Sequence, residues 1–123
     1  MTLKLVNTYE KIRDDWYSWT VKIAGTRIEL NQIKYVTYIL HESFPNRRIV
    51  SSNSNNNYAR TLEGWGEFLL QAEAQLKNGK KKFALLWVDL GSEFTLDEKN
   101  LYNGVFTATK MDPSDLVDRK EPP

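Results

Sequence analysis

Residues 68–90 read FLLQAEAQLKNGKKKFALLWVDL, and this stretch contains the strongest local structural signal in the chain. Apolar and polar side chains alternate from Phe68 to Leu76, which is the period of a strand with one buried face. Asn78-Gly79 follows, and this dipeptide best satisfies the positive φ angles of a type I′ hairpin turn. Phe83 to Leu90 is then a second strand-forming run. The stretch predicts an antiparallel hairpin and a β-rich fold.

The same alternation occurs closer to the amino end of the chain. It runs from Leu3 to Val6 and again from Trp19 to Ile23. In a half-buried strand, alternate residues share a face, so Trp19, Val21 and Ile23 are predicted to point inward. Both runs indicate strands of the same β-rich domain.

A second hairpin is predicted to follow. Ala24-Gly25 offers a turn before Arg27 to Leu30, and Ile33 to Leu40 is rich in β-branched and aromatic residues. Several short strands, frequent turns and no strong amphipathic helix favour an all-β antiparallel sandwich over a helical or α/β fold.

Three further regions have distinct signatures. Ser51 to Arg60 reads SSNSNNNYAR, and such small polar residues predict a long mobile loop that supplies no core. Asn103-Gly104 before Val105 to Thr107 indicates a third hairpin. The last residues mix charge with proline, so we expect one domain over 1–110 and a flexible polar tail over 111–123.

The charge balance argues against nucleic acid and membrane insertion. The 123 residues carry 17 Lys plus Arg against 16 Asp plus Glu, a net charge of +1, so no broad field attracts phosphate backbones. Scattered charges near the amino end leave neither a signal-peptide region nor a membrane span there. With no cysteine, disulfides are excluded, and the cytoplasm is the expected compartment.

The sequence lacks the usual signatures of catalysis and metal binding. His41 is the single histidine and there is no cysteine, so no metal site is expected. No nucleophile elbow, Walker loop or dinucleotide-binding glycine pattern occurs. Ser43 lies two residues from His41, but no acid is placed to orient the imidazole. We therefore expect neither an enzyme nor a cofactor.

Two short segments place aromatic and hydrogen-bonding groups at strand ends, LHESFP at 40–45 and EGWGEF at 63–68. Together with WTV at 19–21 they occur in the order found in the YEATS domain family, which the chain resembles over about residues 19–90. The resemblance implies an immunoglobulin-like β-sandwich, in agreement with the strand pattern. The chain looks more like the prokaryotic branch, because it is short and has no cysteine and no basic nuclear-type tract.

The resemblance also implies a function. YEATS readers hold an acylated lysine in an open-ended slot between aromatic rings, and a hydroxyl and backbone groups bond its amide. In this sequence one wall corresponds to the first segment, at His41, Ser43 and Phe44. The other wall corresponds to the second segment, at Gly64, Trp65, Gly66 and Phe68. The implied partner is an acylated protein or peptide.

The chemistry of these side chains suits that ligand. An acylated lysine is uncharged and carries a flat amide with an apolar tail, so stacking on Trp65 and Phe44 gains dispersion and desolvation. Ser43 can satisfy the amide. Gly64 and Gly66 lack a Cβ, which lets the backbone come close to the ligand.

One segment departs from the family pattern. Readers usually carry another aromatic residue or histidine just before the WTV-like strand, in a GHTHxW-like segment, where this chain has RDDWYS at 13–18. We expect Trp16 or Tyr17 to complete the slot. Asp14 and Asp15 would make its rim acidic, which favours basic peptides.

Structural explanations of the same residues stay open. Trp65 and Phe44 can be core filler, the two glycines a bulge or turn, and His41 a structural hydrogen-bond donor. The chain would then be an adaptor domain that contacts a partner protein through sheet edges and the loop over 51–57.

Overall fold

The computed structural model describes residues 3–93 and 95–110, which form a two-sheet sandwich. In chain order the elements are β1 (Lys4–Arg13), β2 (Trp16–Ala24), α1 (Arg27–Asn31), β3 (Ile33–Ile39), β4 (Arg48–Ser51), β5 (Arg60–Gly64), β6 (Leu69–Leu76), β7 (Lys81–Trp87) and α2 (Leu96–Leu101). One sheet has the order β1-β2-β5 and the other β4-β3-β6-β7, and every pairing is antiparallel. The predicted all-β antiparallel sandwich is confirmed.

The two sheets share a core built from alternating inward residues. Trp19, Val21 and Ile23 of β2 are all buried, as predicted. Every second residue of β6 is buried as well, and these side chains belong to the same cluster as those of β2. The two-residue period of the sequence therefore places one face of each sheet in the core.

Strand register brings the two sequence motifs to one end of the sandwich. The last residue of β3, Ile39, lies opposite Gln71 near the start of β6. In the other sheet, Gly64 at the end of β5 lies opposite Tyr17 near the start of β2. The segments that follow β3 and β5 meet at one end of the sandwich, since the rings of Phe44 and Phe68 lie 5.4 Å apart.

The hairpin of β6 and β7 is confirmed, but its predicted turn type is wrong. Gly79 has a φ of 89°, whereas Asn78 is not among the residues with positive φ. Gly79 N donates to Leu76 O (3.1 Å) and Leu76 N to Lys80 O (2.9 Å), the pattern of a type I turn closed by a glycine bulge. Asn78 contributes through its side chain, which accepts from Lys80 N (2.9 Å).

The predicted hairpin over residues 19–40 is wrong. Arg27–Asn31 is the helix α1, and β2 and β3 belong to different sheets. A capping box starts this helix, since the Thr26 side chain accepts from Glu29 N while Glu29 accepts from Thr26 N. This reciprocal cap satisfies two backbone donors and favours a helix over a β-turn.

The segment over 51–60 supplies core, contrary to the prediction. Tyr58 is buried, and its hydroxyl lies 2.7 Å from Ile33 O and 3.1 Å from Leu30 O, so its one proton is shared between the two carbonyls. Tyr58 O in turn accepts from the buried Tyr38 hydroxyl (2.8 Å). These bonds tie the segment to the four-stranded sheet. The polar composition of this segment gave no indication that one of its residues, Tyr58, is buried in the core.

The third predicted hairpin is also wrong, because residues 103–107 pair with distant strands. Leu5 N donates to Gly104 O (2.7 Å), and Gly104 N donates to Leu85 O (2.8 Å). The segment therefore joins β1 of one sheet to β7 of the other. A Cβ on Gly104 would lie 2.0 Å from Leu5 O, so only glycine allows this approach.

Both helices are short, with five residues in α1 and six in α2. A bilayer core requires about 20 residues of helix, so neither helix of the described ranges could cross a membrane. The sequence pattern did not predict α2. The predicted tail over 111–123 lies outside the described residues.

Gly104→Ala is expected to destabilise the domain by about 2–4 kcal/mol, because both the left-handed backbone and the contact with Leu5 O oppose a side chain. Gly79→Ala is the matched control, since its φ is also positive but nothing lies within 4 Å of its added Cβ. The control should cost only about 1–2 kcal/mol. Urea unfolding measures both, and equal losses would contradict the steric argument.

Candidate functional site

A cleft lies at the end of the sandwich where the two motifs meet, and we call it the slot. Its volume is about 190 Å³. The lining comes from the turn after β3 and from the connection between β5 and β6, with His41, Ser43, Phe44, Pro45, Glu63, Gly64, Trp65, Gly66, Glu67 and Phe68. The structure thus brings together the predicted site residues of both motifs.

Packed aromatic rings form the floor of the slot. The Phe68 ring centroid lies 5.5 Å from that of Trp19 and 5.4 Å from that of Phe44. Trp19 and Phe44 meet edge to face at 6.4 Å, and the His41 ring lies 6.3 Å from Phe68. Phe68 lines the slot, and Trp19, which does not, packs against it; because both are buried, this floor is part of the core. Phe44, half-buried, both packs on the core and lines the slot.

Trp65 differs from these rings because 70% of its surface is exposed. The interpretation of Trp65 as core filler is therefore wrong. An exposed indole at the mouth of an apolar cleft offers a flat face to a ligand.

His41 fixes the hydroxyl of Ser43 within a local turn. His41 Nδ1 accepts the Ser43 backbone N–H (3.1 Å) and lies 2.9 Å from Ser43 Oγ. A nitrogen that accepts a backbone N–H carries a lone pair, so the hydroxyl donates to it. The oxygen of Ser43 then keeps its own lone pairs for an outside donor. Among the described residues, no carboxylate bonds His41, so a Ser-His-acid triad is not formed.

The two glycines are not required by backbone strain, since neither has positive φ. A Cβ on Gly64 would lie 3.8 Å from Phe44 Cζ and from Trp19 Nε1, which is ordinary contact. A Cβ on Gly66 would meet nothing within 4 Å. The free protein therefore has room for alanine at both positions, and the space over Gly66 faces outward.

Trp16 and Tyr17, which we expected to complete the slot, do not line it. Their segment continues the ladder of β1 and β2 around a turn at Asp15, whose φ is 60°. Trp16 Nε1 donates to Glu63 Oε1 (2.8 Å), and the Arg13 guanidinium lies 5.3 Å from its ring. These contacts hold Trp16 outside the slot.

Tyr17 instead lines a neighbouring cavity of about 440 Å³. Its walls include the connection between β5 and β6 and the chain that follows β7, with Trp65, Gly66, Glu67, Trp87, Leu90, Gly91, Ser92 and Thr95. Residues 65–67 line both cavities and therefore form the wall between them.

Glu67 belongs to this wall and is held by contacts with the chain that ends and follows β7, and no role for it was predicted from the sequence. Its side chain is 8% exposed. Trp87 Nε1 donates to Oε1 (3.0 Å), and the backbone amides of Leu90 (2.7 Å) and Ser92 (3.1 Å) donate to Oε2. Thr95 Oγ1 also donates to Oε1, and Lys99 Nζ lies 3.5 Å from Oε2. The sequence signal for this role was the position of Glu67 in the EGWGEF motif, where an acidic residue is flanked by apolar residues.

These contacts lower the pKa of Glu67. Burial alone would raise it, but the hydrogen bonds from Thr95, Leu90, Trp87 and Ser92 favour the charged form more strongly. The pKa of Lys99 is raised, since the opposing effect of burial is outweighed by Asp89 (2.8 Å) and Glu67. Both groups are therefore charged at neutral pH.

Glu67→Gln is expected to destabilise the fold by about 1–3 kcal/mol at pH 7, because charge-assisted bonds to buried donors are lost. A carboxyl whose pKa is lowered by folding stabilises above the unfolded pKa of about 4.3, and that contribution disappears as pH falls through the folded pKa. The deficit of the variant should therefore shrink between pH 5 and pH 3. Thermal unfolding across this range, with Glu10→Gln as an exposed control, measures it. A loss of stability that is the same at every pH would contradict a stabilising role of the charged Glu67 carboxylate.

Trp65→Ala should lower the free energy of unfolding by less than about 1 kcal/mol, because the ring is largely exposed. Trp19→Ala, which removes a fully buried indole, should lower it by about 3–5 kcal/mol. Denaturant titration of the two variants compares them directly. Similar losses would mean that Trp65 supports the core.

The chain matches the family model of the prokaryotic YEATS domain over residues 17–89. A search of curated proteins finds no match. Among solved structures, the YEATS domain of Yaf9 recognising an H3K122suc peptide has a TM-score of 0.61 and 22% identity, and covers 72% of each chain. Yaf9 bound to H3K27ac has a TM-score of 0.62 and 21% identity, covering 76% of this chain and 75% of that chain.

A third structure, described as the yeast AF-9 homolog Yaf9, has a TM-score of 0.63 and 22% identity, and covers 73% of this chain and 67% of that chain. These likenesses confirm the predicted immunoglobulin-like sandwich. Because the family model covers more than half of the sequence, the chain belongs to the prokaryotic YEATS domain family.

Proposed function

We propose that the protein is a non-enzymatic module that binds an acylated lysine of a protein or peptide in the slot. The observation that carries the proposal is Trp65, whose ring is 70% exposed and lines the same cavity as Phe44 above buried rings. Flat apolar walls around about 190 Å³ suit a planar amide with a short acyl chain.

Hydrogen-bonding groups at the slot match the two ends of an amide. Ser43 Oγ, whose proton is directed to His41, can accept the amide N–H of the ligand. Trp65 and Gly66 lie between β5 and β6, outside the ladders of both sheets, so strand pairing does not engage their backbone N–H groups, which can donate to the acyl carbonyl. One acceptor and nearby donors would satisfy the buried amide.

The carboxylates of the slot do not favour an unmodified lysine. Both oxygens of Glu67 accept bonds from residues 87–95, and Lys99 already neutralises this group. Glu63 also lines the slot, but it is exposed at the end of β5 and its Oε1 accepts from Trp16 Nε1 (2.8 Å). An ammonium entering between the rings would lose hydration without a dedicated counter-ion.

The structural relatives support the class of partner. Yaf9 structures contain H3K122suc and H3K27ac ligands, both acylated lysines. For this chain the corresponding ligand is an acylated protein or peptide, and the adaptor alternative gains no specific support from the slot.

Calorimetric titration of the protein with acetyl-, crotonyl- and unmodified lysine peptides of one sequence tests the proposal. At least one acylated peptide should bind about tenfold more tightly than the unmodified one, a difference of about 1.4 kcal/mol. Equal affinity for all three peptides would remove the proposal and leave the adaptor function.

Variants locate the binding to the slot. Trp65→Ala and Ser43→Ala should abolish the acyl preference while the domain stays folded. Gly66→Ala, which fits the free protein, should weaken binding if the ligand approaches this backbone. Val50→Ala removes another exposed apolar side chain outside the slot and should change nothing. Binding that survives Trp65→Ala unchanged would place the ligand elsewhere.

A further inference from the structure

The hydrogen-bond donors to the Glu67 carboxylate all belong to one stretch of the chain. Trp87 ends β7, Leu90 and Ser92 follow it, Thr95 precedes α2, and Lys99 belongs to α2. The family match ends at residue 89, so most of these donors lie beyond it. A single side chain of the EGWGEF motif is therefore held by a segment outside the matched region.

The position of Glu67 in the chain lets this contact influence the shape of the slot. Glu67 follows Trp65-Gly66 directly, and the wall between the two cavities is fixed at its other end where Gly64 pairs with Tyr17. Trp65 is too exposed for packing to hold its ring tightly. Its placement therefore depends on the backbone on either side, and Glu67 anchors the side that leads into β6.

The anchor is electrostatic and partly buried. Lys99 Nζ lies 3.5 Å from Glu67 Oε2 and 2.8 Å from Asp89 Oδ1, and its side chain is 18% exposed. It also donates to Ser92 O. Charge-assisted bonds are strengthened where water is largely excluded. Since both oxygens of Glu67 are engaged by this segment, the carboxylate acts on the slot through the backbone.

We propose that Glu67 is a positioning residue for ligand binding, and that its partners Leu90, Ser92, Thr95 and Lys99 form part of the reader by holding the Trp65-Gly66 wall through it. The proposal rests on the function proposed above. It assigns a role in affinity to Thr95 and Lys99, which do not line the slot.

The full chain with Thr95→Val tests this, because valine keeps the shape of threonine and removes the hydroxyl that donates to Glu67. Of the acetyl- and crotonyl-lysine peptides, the one that the wild type binds more tightly is used. Its affinity for this variant should be roughly 3- to 30-fold weaker, the range typical of coupling through a structural contact. Thr95→Ser keeps the donor and should bind as the wild type does. Wild-type affinity in Thr95→Val, or equal loss in Thr95→Ser, would overturn the proposal.

A second pair of variants tests the same contact in case Thr95→Val does not fold. Lys99→Met should also weaken peptide binding, whereas Lys110→Met, which removes a lysine paired with Glu73 (3.3 Å) in the middle of β6 and outside the slot lining, should not. Thermal unfolding confirms that each variant is folded at the binding temperature. Equal affinities of the two folded variants would contradict a specific role for Lys99.

Hydrogen exchange separates this proposal from the proposed function. Amides of residues 64–68 should exchange faster in Thr95→Val and Lys99→Met than in the wild type, Thr95→Ser or Lys110→Met. If the wild type shows no acyl preference, the reader function fails and this exchange pattern alone decides whether Glu67 positions the wall. Unchanged exchange in Thr95→Val and Lys99→Met would overturn the positioning role even if a ligand binds.

Discussion

The fold and the slot both depend on one packing contact, the cluster formed by Trp19, Phe44 and Phe68. Trp19 belongs to the three-stranded sheet, Phe68 leads into the four-stranded sheet, and Phe44 follows β3. Edge-to-face and tilted rings at these separations combine large apolar burial with favourable quadrupole geometry. The cluster joins the sheets at the end where the motifs emerge, so the slot is the open end of the core.

In the proposed reader, binding and stability depend largely on different residues at this end. Buried Trp19 and Phe68 hold the sheets together, while Trp65 remains exposed and so contributes little to folding. The Ser43 hydroxyl is oriented by His41 two residues away, within a single turn. A ligand can thus meet ordered groups without disturbing the core. Preorganisation of this kind lowers the entropic cost of binding.

Local patterns predicted the sandwich, because alternate burial along a strand is visible in short stretches of sequence. The resemblance to YEATS readers, and not the local pattern, predicted that the two motifs meet. Errors occurred where distant contacts decide the structure. Tyr58 is anchored by carbonyls of residues 30 and 33, and Gly104 joins strands from opposite sheets. Trp16 was expected in the slot, but a continuous β1–β2 ladder carries it away. The helix α1 could have been predicted from its Thr26–Glu29 capping box.

Glu67 shows why a motif alone does not define such a site. A carboxylate this deeply buried is unfavourable unless several donors surround it, and here they come from residues 87–99. The glutamate of the motif and the segment after β7 therefore depend on each other. On the proposed role of Glu67, a related chain with the same GWGEF sequence but a different following segment is expected to have a less ordered wall beside its tryptophan. Slot rigidity, and with it ligand affinity, can then vary among family members whose motif residues are identical.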